Sequence, residues 1–106
     1  MDRNFFKKPR TFDGGMGQEL LSRGLISKGT LWSSSALLDE KNHNLILDTH
    51  LSFINNGAEI ILTNTFTTRK VRFEQNKVSN FFEFANRKAC ELALKAKELS
   101  KKDILI

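Results

Sequence analysis

The chain predicts a parallel α/β fold, two β/α units followed by the start of a third strand, on three observations. Strand-like and helix-like runs alternate along its 106 residues, the order produced by parallel strands joined through crossover helices. The middle strand-like run, Ile60-Ile61-Leu62, is continuously apolar, as in a strand covered on both faces. The last run, "ILI" at 104–106, stops without a turn or a cap. An uncovered parallel strand leaves an open edge, so the chain is expected to be the front part of a larger domain, truncated at its C-terminal end.

Residues 1–9 read as a basic leader, and the domain is expected over 10–106. Residues 10–13 form the first strand candidate, with Thr11 and Phe12 leading into Asp13. "GQELLSRG" then predicts a turn or two of helix stopped by Gly24, since a glycine past the last turn accepts the left-handed conformation. Residues 25–41 hold Gly29, three serines and Leu31-Trp32 and predict a structured loop with at most a short helix. From about Asn42, Leu47, His50, Leu51 and Ile54 recur at i, i+3, i+4 and i+7, one face of a helix, and Gly57 ends it. "AEIILTNTF" predicts the second strand, running from apolar into Thr63, Asn64 and Thr65. The second long helix is expected from about Asn80, with Glu83 three residues on as a capping box. Its apolar stripe is Phe82, Ala85, Ala89, Leu92, Ala93, Ala96 and Leu99, ending at Ser100.

Composition narrows the function classes. Seventeen basic and twelve acidic residues give a net charge of +5, but the positives are scattered. Lys95, Lys97, Lys101 and Lys102 alternate with Glu91 and Glu98 along a helix, as on a solvated face. A nucleic-acid binder gathers them with aromatics between, so no nucleic-acid partner is expected. No apolar run approaches the roughly 18 residues of a membrane span, and the N-terminus lacks the apolar core of a signal peptide. Cys90 is the only cysteine, so no intramolecular disulfide forms and a reducing, cytoplasmic setting is expected. The chain also has nine Phe and no Tyr.

"TFDGGMGQELLSRG" (11–24) concentrates four glycines behind Asp13. The dinucleotide fingerprint would require glycine where Leu20 stands, and the phosphate loop a Lys-Ser or Lys-Thr that does not follow. What remains is close backbone approach to a ligand. Asp13 and the Thr63–Asn64–Thr65 group fall at the carboxyl ends of two predicted strands, where parallel α/β folds place their sites. Asp13 and Asn64 suit equally well the caps of the turns that follow them, and the residues alone leave both readings standing.

"DGGMGQELLSRG", "LWSSSALL" and "HLSFINNGAEIILTNTF" together resemble the opening of the homocysteine S-methyltransferase family, over residues 10–66, with the following helix and "DILI" matching more loosely. The resemblance implies the N-terminal part of a TIM (β/α)₈ barrel. It also implies methyl transfer from a donor such as S-methylmethionine, betaine or a methylated cobalamin to zinc-bound homocysteine thiolate, giving methionine. By the same resemblance Asp13 faces the homocysteine ammonium, Gly14 and Gly15 line that pocket, and Trp32 lies near the methyl donor, where an aromatic face suits a methyl-onium group. Asn64 and Thr65 face the mouth of the site, and Glu19 is structural.

The metal site departs from the family pattern. The family's zinc cysteines, including a Gly-Gly-Cys-Cys segment, have no counterpart here. Cys90 is expected to be buried on the second long helix, His50 to be a satisfied packing residue and His43 to be exposed, and no pair has zinc spacing. The chain alone is therefore expected to bind no catalytic zinc and to be inactive. The alternative is a non-catalytic half-barrel fragment that self-associates, or pairs with a complementary chain, through its open strand edge.

Overall fold

The computed structural model describes residues 3–106; residues 1 and 2 of the expected leader lie outside the described residues. Five α-helices follow one another: α1 (Met16–Ser22), α2 (Ser35–Leu38), α3 (His43–Asn55), α4 (Lys70–Gln75) and α5 (Phe82–Ser100), with short 3₁₀ turns at Arg3–Lys7, Trp32–Ser34, Glu40–Asn42 and Ser79–Phe81.

The expected α/β architecture is overturned. Helix accounts for 61% of the residues and strand for 3%, and no sheet forms among the described residues, so the chain is not a portion of an α/β barrel. The three runs expected as strands meet only through isolated parallel bridges, Phe12 with Ile60 and Ile60 with Leu105. Five main-chain bonds fasten them side by side: Glu59 and Ile60 N–H to Thr11 C=O, Asp13 N–H to Ile60 C=O, Ile61 N–H to Leu105 C=O, and Leu105 N–H to Glu59 C=O. The runs are too short to extend this into a ladder. The first breaks at Gly14-Gly15, and the second curls back where Thr65 N–H bonds Thr63 C=O at 2.8 Å.

The core is helical. α3 and α5 make the most extensive pairing of elements. Ile46, Leu47 and Ile54 are buried on α3, and Ala85, Ala89, Leu92, Ala93 and Ala96 on α5. The alanine stripe has the expected helical spacing and lets the two backbones approach closely. Leu99, expected to extend it, is 52% exposed. Leu20 of α1, Leu37 of α2, Ile61 and Phe73 of α4 complete the core at zero exposure.

Two helix ends depart from expectation. α5 starts after the 3₁₀ turn, with Phe81 at its N-cap and no side-chain cap bond, so the Asn80–Glu83 capping box does not form. α4, between the second extended run and α5, carries no stop glycine: Lys77 occupies the left-handed position after it, at φ 59°.

Candidate functional site

The first and second extended runs end side by side, and the 3₁₀ turn Trp32–Ser34 folds over them. Between these pieces lies a cavity of about 290 Å³, near the lower end of small-molecule pockets. Asp13, Gly14, Gly15, Trp32 and Asn64 all line it, so residues up to 51 positions apart in sequence meet there. Thr65 does not. It is half-buried beside the cavity, its hydroxyl 2.9 Å from that of Thr63, and Thr63 takes the lining position.

Asp13 caps no turn. The N-cap of α1 is Gly15, without a side-chain cap bond, while Asp13 Oδ2 reaches the neighbouring run and accepts the Leu62 N–H at 3.0 Å. Partial burial raises the Asp13 pKa, against the opposing pull of the Leu62 N–H and its own main-chain N–H. A carboxylate short of solvation favours a cationic partner that would restore its charged form.

The glycines divide by role. A Cβ at Gly14 would come within 2.9 Å of Phe53 Cε1, so α3 packs directly beneath it, whereas at Gly15 it would meet nothing within 4 Å. Gly17, inside α1, was missed by the sequence reading. A Cβ there would collide with the Trp32 indole, whose Cδ1 and Cε2 would lie 2.6 Å away. A glycine within the run expected to be helical was the available signal, because it carries a propensity cost that calls for a packing reason. Leu62 and Phe66 also border the cavity and were read only as parts of a strand.

Asn64 is not a turn cap either. Its side chain is buried, its Nδ2 donates to Ser33 C=O at 3.1 Å, and its Oδ1 has no hydrogen-bond partner among the described residues.

The titratable residues away from the cavity also require correction. Cys90 is exposed on α5, not buried. His43 is half-buried, its Nε2 2.8 Å from Leu37 C=O. His50 is fully buried, but neither ring nitrogen has a partner among the described residues, so it packs without being satisfied. Burial lowers its pKa to about 4 and keeps the ring neutral. Among the described residues no three His, Cys, Asp or Glu side chains converge on a point that could hold a metal ion. The zinc that the resemblance implies for the full-length family has no fitting donor set among the described residues.

Fold and cavity define a small helical unit with a glycine-edged pocket headed by one carboxylate and walled by one indole. The chain belongs to the homocysteine S-methyltransferase family, whose sequence profile matches residues 10–106. It is 30% identical over 89 residues to Homocysteine S-methyltransferase 2 of Saccharomyces cerevisiae, covering 76% of this chain and 27% of that protein. It is 33% identical over 87 residues to Selenocysteine methyltransferase of Astragalus bisulcatus, covering 81% and 25%. Against Betaine-homocysteine S-methyltransferase of Drosophila melanogaster it is 35% identical over 104 residues, covering 92% and 28%. The chain thus spans about a quarter of the length of the curated relatives it matches. No solved structure matches it. No helix among the described residues is long and apolar enough to cross a membrane.

Proposed function

We propose that this chain forms the amino-acid-binding segment of a methyltransferase acting on homocysteine or a close thiol or selenol analogue. The observation that carries the reading is the meeting of Asp13, Gly14, Gly15, Trp32 and Asn64 around one cavity in a member of this family. The Asp13 carboxylate receives the substrate ammonium through a charge-assisted hydrogen bond. The open side of Gly15 lets the amino-acid portion lie against the main chain. The indole of Trp32, 40% exposed, offers its face to a methyl-onium donor such as betaine or S-methylmethionine. The transfer itself is a displacement: the sulfur lone pair attacks the methyl carbon, the bond from methyl to the donor breaks, and its electron pair leaves with the donor. The family's zinc cysteines have no counterpart in this sequence, and on this reading the chain by itself binds without turnover.

Calorimetric titration of the 106-residue chain with L-homocysteine tests this. Asp13→Asn keeps the shape and removes the charge, and weakens binding by roughly ten- to a hundredfold, the range for a hydrogen bond to a charged group. Equal affinity in the variant removes Asp13 from the site.

A second reading, association with another copy or with a complementary chain, is favoured by the exposure of Phe12 (61%) and Leu62 (59%) at the extended runs. Size-exclusion chromatography with light scattering decides it: a monomeric mass at all concentrations removes the self-association form.

A further inference from the structure

Trp32 has a main-chain conformation that its side chain disfavours. Its φ is +51°, in the left-handed region that bulky residues avoid because Cβ crowds the main chain. Such a conformation persists where surrounding bonds over-determine it, and the bonds are present on both sides of the residue. Thr67 Oγ1 donates to Leu31 C=O at 2.5 Å and accepts Ser34 N–H at 3.3 Å. Asn64 Nδ2 donates to Ser33 C=O. Both side chains are buried, Asn64 at 2% exposure and Thr67 at 2%, so water does not replace these contacts without opening the structure. Asn64, at the end of the second extended run, and Thr67, just past it, therefore grip the residues before and after Trp32, and Gly17 supplies the flat seat on which the indole rests.

We infer that Asn64 and Thr67 are positioning residues: they hold Trp32 in its left-handed conformation and thereby set the indole as the wall of the cavity over Gly17. The meaning of this clamp for methyl transfer rests on the proposed function, in which the indole meets the methyl donor. The clamp itself does not.

Trp32 is the only tryptophan and the chain has no tyrosine, so intrinsic emission reports this one side chain. Emission maximum and acrylamide quenching are measured on the 106-residue chain, with circular dichroism and thermal melting in parallel. Thr67→Val, which exchanges one hydroxyl for a methyl, shifts the emission to the red and raises quenching while helicity is retained; Thr67→Ser restores the wild-type spectrum. Asn64→Ala acts in the same direction, and if it unfolds the chain the Thr67 pair decides. Gly17→Ala evicts the indole even though alanine favours the helix, so emission moves red without loss of helicity. Thr67→Val melting earlier with unchanged emission and quenching overturns the clamp and leaves Thr67 a stabilising contact only. Titration with S-methylmethionine separates the two readings. If the sulfonium leaves wild-type emission unaltered while Thr67→Val moves it, the donor role of Trp32 fails and the clamp stands.

Discussion

His50 has two ring nitrogens sealed in the core without a partner among the described residues. Its pKa falls from 6.5 to about 4 in the folded state. Below pH 6.5 the unfolded chain takes up a proton that the folded chain refuses until about pH 4. His50 therefore adds no pH-dependent penalty above pH 6.5, and stability is lost progressively between those two values, by about 3 kcal/mol. His50→Leu removes both unmet groups at similar volume and flattens this decline, as melting temperatures from pH 4 to 7 will register. An equally steep decline in the variant assigns it to other groups. Asp13 shifts in the opposite direction, so under the proposed function homocysteine binding is expected to weaken at acid pH as its raised pKa is crossed, a loss absent in Asp13→Asn. At this scale it was the resemblance, not the spacing of residues, that named Asp13, Gly14, Gly15, Trp32 and Asn64, which line the cavity, and Thr65, which does not. The sequence was silent on Gly17 and Thr67, whose roles depend on contacts 15 and 36 positions away.

The ends of α1, α3 and α4 share one construction. After α1, Gly24 N–H bonds Leu21 C=O and Leu25 N–H bonds Leu20 C=O; after α3, Gly57 bonds Ile54 and Ala58 bonds Phe53; after α4, Lys77 bonds Glu74 and Val78 bonds Phe73. Each is a Schellman closure, with a left-handed residue past the cap and an apolar residue returning to the core. Gly24 and Gly57 made the first two readable in advance. Lys77 performs the same turn at φ 59° with a side chain that opposes it, which is why a six-residue helix without a stop signal went unread. Lys77→Gly raises the stability of the chain by about 1 kcal/mol, whereas Gly57→Ala, forced to φ 112°, lowers it by about 1 kcal/mol. Chemical denaturation of the two variants against wild type checks both signs. At the α3–α5 contact, Ala89→Leu adds volume where exposure is already zero and costs about 1–3 kcal/mol.

The molecule as a whole is elongated, 44 × 27 × 20 Å, with a radius of gyration of 14.2 Å, where a compact chain of this length has about 13 Å. The order of extended and helical runs was legible, yet the fold class inferred from it was not the one formed. Alternation signals which segments lie parallel but not whether they are long enough to zip into a sheet, and here each stops after a single bridge. Side chains reinforce the three main-chain bonds that hold the N-terminal run. Arg10 Nη1 meets Glu59 Oε2 at 2.6 Å, its guanidinium lies 3.9 Å over the Phe5 ring, and Thr11 N–H reaches the other Glu59 oxygen at 3.3 Å. The hydrogen bond from Arg10, then that from Thr11, lowers the Glu59 pKa. This fastening is complete above the ordinary carboxylate range and is lost as pH falls through the lowered value. Glu59→Gln speeds hydrogen exchange at Ile60 and Asp13 at neutral pH; unchanged exchange there would show that the main-chain bridges suffice.

Cys90, displaced by the structure from the core to the exposed face of α5, has a practical consequence. The chain carries one thiol and one indole, one on the long helix and the other on the loop over the cavity. A thiol-reactive acceptor dye on Cys90 makes them a donor–acceptor pair in the unmutated sequence. Any displacement of that loop relative to the helical core, on binding a ligand or a second chain, becomes readable as a change in energy transfer.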